Sequence, residues 1–160
     1  MHLNAELITK FYTAFGRRDA RGMAACYHSD VEFSDEVFPD LKGTRAGAMW
    51  QMLCERGKDL KIEFRDIDAD NDTGRAHWEA WYTFSVTGRR VHNIIEARFE
   101  FQDGKIIRHC DTFDFWAWAS QALGLKGRLL GWSSMGKKRV RAQAAKNLEA
   151  FINERGQSAI

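Results

Sequence analysis

An imidazole and a carboxylate stand two residues apart in Lys105–Trp116, KIIRHCDTFDFW, and their surroundings set the chemical question of this chain. Read as a strand, alternation sends Ile107, His109, Asp111, Phe113 and Phe115 to one face. A carboxylate among large apolar side chains needs a hydrogen-bond partner or a chemical task. Desolvation raises the pKa of such a carboxyl toward neutrality, where proton transfer is efficient. A second carboxylate, Asp35, lies in a loop that also holds the only proline, Pro39. Together Asp35 and Asp111 read as a base and an acid for proton abstraction next to a carbonyl, with His109 orienting a carboxylate or shuttling the proton. The structural alternative is that Asp111 satisfies a nearby donor and Asp35 caps a turn. Asp35, His109 and Asp111 lack any recognised ligand spacing, so no metal is expected.

The elements that must position these residues follow from hydrophobic period. Leu3, Leu7, Ile8, Phe11, Tyr12 and Phe15 recur at helical spacing before Gly16, and Asp19 can cap a short helix over Ala20–Cys26. Tyr27-His28-Ser29-Asp30 reads as a turn into a short strand, Val31–Phe33, followed by the loop Ser34–Gly43 and a helix over Arg45–Arg56. Four strands are then expected, Leu60–Ala69, Arg75–Thr87, Val91–Gln102 and Lys105–Phe115, joined by tight turns that impose antiparallel pairing. Trp78, Ala80, Tyr82, Phe84 and Val86 share the apolar face of one strand, and Asn93, Ile95, Ala97, Phe99 and Phe101 that of the next. His77 and His92 fall on the opposite face with Trp81, an aromatic that suggests a homodimer contact there. The order of elements predicts an α+β domain.

With 160 residues, 44% of them hydrophobic, the chain can bury a core without staples. Cys26, Cys54 and Cys110 cannot all pair, and neither a signal-like leader nor a spanning apolar run is present, so a reducing, cytoplasmic setting is expected. The net charge of +2 hides an asymmetry. Lys126, Arg128, Lys137, Lys138, Arg139, Arg141, Lys146 and Arg155 against Glu149 and Glu154 give residues 125–160 a charge of +6 and the rest −4. Val140, Ala144, Leu148, Phe151 and Ile152 form one stripe of the basic helix expected near Lys137–Glu154, which predicts docking on the protein's own body. Neither nucleic acid nor membrane is therefore expected as a partner. Residues 1–123 are expected to form the main domain, and 124–160 a glycine-punctuated linker and that helix.

The stretches FYTAFGRRD (Phe11–Asp19), YHSDVEFSDEVFPDLKG (Tyr27–Gly43) and DGKIIRHCDTFDF (Asp103–Phe115) resemble the nuclear-transport-factor-2-like superfold, in particular its SnoaL-like group of polyketide cyclases, ketosteroid isomerases and limonene-epoxide hydrolases. The resemblance implies a cone-shaped α+β barrel, a curved, mostly antiparallel sheet wrapped by N-terminal helices, with a C-terminal helical extension beyond it. It implies that the loop carboxylate matching Asp35 is the base in isomerase-like members, and that the last-strand aspartate matching Asp111 is the acid or base in cyclase-like ones. Epoxide hydrolysis is disfavoured, because Trp78 and Ala80 stand where that chemistry needs an Arg-x-Asp pair. The ketosteroid isomerase donor pair is not reproduced either, with Phe11 and approximately Ala97 at its positions.

The resulting expectation is a small enzyme without cofactor that transfers protons on an apolar cyclic or carbonyl-containing molecule, its catalytic residues Asp111, Asp35 and His109. Tyr12, Tyr27, Trp50, Trp78, Tyr82, Asn93, Phe99 and Phe113 are expected to line its pocket. A non-catalytic ligand-binding or protein-interaction module of the same fold is the alternative.

Overall fold

Apolar residues at helical spacing near the N-terminus form α1 (Leu3–Gly16), which buries Ala5, Ile8, Phe11, Tyr12 and Phe15. The structure is a computed structural model, describing the backbone of residues 1–158 and the side chains of residues 1–156. The start of α1 is tied to the sheet by Asn4, whose Nδ2 donates to the carbonyls of Asp70 and Asn71 at 2.9 and 3.2 Å. Asp19 caps α2 (Ala20–Ala25) by accepting from the Gly22 amide. Helix α3 (Thr44–Arg56) buries Met49, Trp50 and Cys54.

The strands are β1 (Tyr27–Ser34), β2 (Leu41–Lys42), β3 (Lys61–Ala69), β4 (Thr73–Phe84), β5 (Arg89–Gln102) and β6 (Lys105–Thr112). They form one curved, open sheet in the order β2-β1-β6-β5-β4-β3, antiparallel except where β1 runs parallel to β6. The Asp103-Gly104 hairpin between β5 and β6 has φ of 54° and 74° at its central residues, the left-handed pair that a tight hairpin turn requires. Helices α1 and α3 cover the inner face, where Trp50 meets Phe15, Phe33 and Trp78 edge-on.

Several sequence expectations are corrected. Tyr27-His28-Ser29-Asp30 is not a turn but the first half of β1, whose polar middle faces solvent while Tyr27, Val31 and Phe33 face inward. The register between β5 and β6 shifts at Glu100/Phe101, so Ile106 rather than Ile107 shares the inner face with His109. Strand β6 ends at Thr112, because Asp114 accepts from the Ala117 amide and starts α4 (Phe115–Leu123). Val86 is exposed, since β4 ends at Phe84 and the chain turns there. The segment expected to be a linker contains a helix, α5 (Leu125–Leu130). Trp81 lies on the outer face as expected, stacked on His92 with the Lys61 ammonium over its ring.

Helix α6 (Ser134–Ser158) docks on the body through the stripe read from the sequence: Leu148 and Phe151 are buried, with Arg45–Glu149 and Arg155–Glu55 ion pairs joining it to α3. Leu148→Ala should therefore lower unfolding stability by about 2–5 kcal/mol in a urea titration. A loss below about 0.5 kcal/mol, the scale of a surface change, would contradict the docked helix.

Candidate active site

Strand β6 delivers His109 and Asp111 to the inner face, where the imidazole has no exposed surface and the Asp111 side chain retains 2%. Five aromatic rings enclose the imidazole: Phe11, Tyr27 and Phe33 edge-on, Trp50 stacked and Phe99 tilted at 4.4 Å between centroids. Polar groups so enclosed must bond one another. Trp50 Nε1 donates to Tyr27 Oη at 2.8 Å, Tyr27 Oη lies 2.8 Å from His109 Nδ1, and His109 Nε2 lies 2.9 Å from Asp111 Oδ1. Trp78 Nε1 closes the far end by donating to Asp111 Oδ1 at 3.3 Å.

The indole N–H can only donate, so it takes a lone pair of Tyr27 Oη, and the buried hydroxyl's own proton finds its acceptor at His109 Nδ1. Trp50 donates to Tyr27, the Tyr27 hydroxyl donates to His109 Nδ1, and His109 Nε2–H donates to a carboxylate at Asp111. With the imidazole proton on Nδ1 instead, the Tyr27 hydroxyl would have no acceptor here. Burial pushes the Tyr27 phenol well above its ordinary pKa, and the Asp111 charge adds to this while the Trp50 bond opposes it. Tyr12 is raised in the same way, first by burial and then by the Asp111 charge, so both phenols keep their protons at neutral pH.

Asp35 sits on the loop after β1. Its Oδ1 accepts from the Val37 and Phe38 amides at 2.7 and 2.6 Å, an Asx-type turn that fixes the carboxyl. Burial raises its pKa from 3.8 to about 7; the two amides oppose the rise, while the negative charges of Asp111 and Glu36 add to it. The same loop is held by α6: Lys137 Nζ bonds Glu36 Oε2 at 2.6 Å, and Arg141 Nε donates to the Glu36 carbonyl at 2.9 Å. Nearby, Trp118 Nε1 donates to Tyr82 Oη at 2.8 Å, and burial pushes that phenol up to about 12.

A family model described as a SnoaL-like domain matches residues 8–109. The chain belongs to the SnoaL-like family. A search of curated proteins gave no match. Among solved structures, a candidate polyketide cyclase of Xanthomonas campestris pv. campestris is 22% identical, with a TM-score of 0.61 over 73% of this chain and 94% of that one. An LEH-like epoxide hydrolase of M. tuberculosis is 19% identical, TM-score 0.61, over 80% of this chain and 96% of that one. A candidate SnoaL-like polyketide cyclase of Jannaschia sp. CCS1 is 14% identical, TM-score 0.65, over 75% and 91%. At these identities the likeness is one of fold.

In this SnoaL-like chain the expected residues divide into two groups. His109, Asp111, Tyr12, Tyr27, Trp50, Trp78 and Phe99 are buried and pack together, whereas Asp35, Tyr82, Asn93 and Phe113 are half-buried. His77 and His92 are held on the outer face by Glu79, away from these groups. Sequence reading listed Tyr27 and Trp50 as aromatic walls and missed them as partners of His109. The usable signal was that a buried Tyr or Trp needs a partner for its polar tip. Trp118 and the α6 tether to Glu36 were missed because their contacts cross long sequence separations.

The raised Asp35 carries a pH signature. Below about pH 4 both native and unfolded Asp35 are protonated; between about 4 and 7 only the unfolded chain has released the proton, so its contribution lowers stability as pH rises and is constant above that window. Asp35→Asn should remove this slope, gaining urea midpoint over wild type from about pH 4 to about pH 8. A difference between the two proteins that stays flat across the window would contradict the assignment.

Proposed function

We propose that this SnoaL-like protein is an enzyme that moves a proton on a small apolar molecule carrying a ring and a carbonyl, using side chains alone. The observations that carry the reading are a buried carboxyl, Asp111, whose charge reaches the half-buried Asp35 on its loop, and a buried donor that has no partner. Among the described residues, Tyr12 Oη is one of two buried side-chain polar atoms without a hydrogen bond. Such an orphan costs about 1–3 kcal/mol, which a ligand oxygen would relieve.

The roles differ from those expected from sequence. Asp111 is committed to His109 and Trp78 through Oδ1 and is nearly inaccessible, so it serves as a held acceptor and not as the group that meets substrate. Asp35 is the exchanging group: both turn bonds fall on Oδ1, leaving Oδ2 for substrate, and a pKa of about 7 suits reversible transfer. Asp35 takes a proton from the carbon beside the carbonyl, Tyr12 hydrogen-bonds the enolate oxygen that develops, and Asp35 returns the proton. Lys137 and Arg141 of α6 hold the loop that carries Asp35 through Glu36, so the placement of that carboxyl depends on α6.

A second reading, a non-catalytic binding module, is favoured by the packing of the interior, where His109 and Trp50 leave almost no exposed surface. Deuterium exchange at carbons next to the carbonyl, followed by NMR over a panel of cyclic ketones and enones, separates the two. The enzyme reading predicts exchange that falls about 100-fold or more in Asp35→Asn. Retained exchange in that variant sinks the role of Asp35. Ligand binding without exchange, unchanged in Asp111→Asn, would favour the binding module.

A further inference from the structure

Between Asp114 and Glu149 the chain has no acidic residue and seven basic ones, and this stretch also carries the most exposed apolar side chains of the C-terminal region. Leu125, Leu129, Trp132 and Met135 expose 77%, 78%, 82% and 67% of their surface. Leu125 and Leu129 are four residues apart on α5 and so share one side of that helix. Trp116, 39% exposed, adjoins them, because its Cδ1 lies against Gly131 and its indole N–H reaches the Arg128 carbonyl.

These side chains are presented on a braced support. A Cβ at Gly127 would collide with the Ala119 carbonyl and one at Gly136 with the Leu130 carbonyl, so α5 is clamped backbone to backbone against α4 and against the start of α6. Exposed apolar groups on a firmly packed segment mark an interaction surface. The cations around them choose the partner. Lys137 and Arg141 are engaged by Glu36, whereas among the described residues none of Lys126, Arg128, Lys138 and Arg139 pairs with a carboxylate.

We propose that the α5 segment and the first turns of α6 dock this protein peripherally on an anionic lipid bilayer. Leu125, Leu129, Trp132 and Met135 enter the headgroup and upper acyl region, and Lys126, Arg128, Lys138 and Arg139 meet the lipid phosphates. An indole suits that depth, and each cation near the surface adds attraction that salt weakens. No helix among the described residues is long and apolar enough to cross a membrane, so the association is with the surface. The proposal reverses the expectation of no membrane partner drawn from the sequence, where the direction of these side chains was not visible. It stands independently of the chemistry proposed for Asp35.

Flotation of the full chain with vesicles tests it. Vesicles of phosphatidylcholine with about a quarter phosphatidylglycerol should carry the protein, with at least about 10-fold weaker binding to phosphatidylcholine alone and a loss on adding salt. Leu129→Ser with Trp132→Ser, both at exposed positions, should abolish flotation while the circular dichroism and urea midpoint stay as in wild type; Lys138→Glu with Arg139→Glu should weaken it. No flotation at about 1 mM anionic lipid overturns the proposal. Flotation that persists in the Leu129/Trp132 variant overturns it as well. So does concentration-dependent self-association that this variant removes, which would make the patch a contact between copies.

Discussion

Burying an imidazole and a carboxylate side by side in an aromatic interior is the constraint from which the arrangement of this protein follows. Neither group can stay there alone, since an unpaired buried charge or donor costs more than a single packed side chain returns. The solution draws on three elements: Tyr27 of β1 bonds His109, Trp78 of β4 bonds Asp111, and Trp50 of α3 bonds Tyr27 while its ring stacks on His109. These bonds fix how α3 sits over the sheet and how β1 is placed beside β6. A purely apolar core would tolerate sliding of one layer over another; a chain of directed hydrogen bonds does not.

The same arrangement separates two carboxylates by environment. Asp111, at the inner end, is supplied with two N–H donors and held still. Asp35, at the loop, is supplied with two backbone amides yet feels burial and the nearby Asp111 charge more strongly, and its pKa rises to about 7. A carboxyl raised in this way is suited to exchanging a proton near neutral pH, while its neighbour serves as a held acceptor. The C-terminal helix bears on both halves of the problem: its apolar stripe completes the core, and Lys137 and Arg141 hold the loop of Asp35 through Glu36.

Period and turn chemistry made most of the architecture legible in the sequence. Alternation placed His109 and Asp111 inward, Asp103-Gly104 announced a hairpin, and the Val140-to-Ile152 stripe announced a docked helix. The failures have physical causes. The register shift opposite Phe101 exchanged Ile107 for Ile106, because alternation cannot anticipate an extra residue in a ladder. Tyr27-His28-Ser29-Asp30 looked like a turn because its polar residues face solvent from a strand paired with the distant β6. Tyr27 and Trp50 were legible as buried aromatics but not as a relay, since their bonds to His109 and to one another join elements far apart in the chain.

The central claim is the order of protons along Trp50, Tyr27, His109 and Asp111. Nitrogen NMR of the His109 ring in labelled protein at neutral pH reads it directly, because protonated and bare imidazole nitrogens resonate far apart. The account predicts a proton on Nε2, facing Asp111, and a bare Nδ1 accepting from the Tyr27 hydroxyl. A proton on Nδ1, whether in the other neutral form or in an imidazolium, would strand the Tyr27 hydroxyl and contradict it.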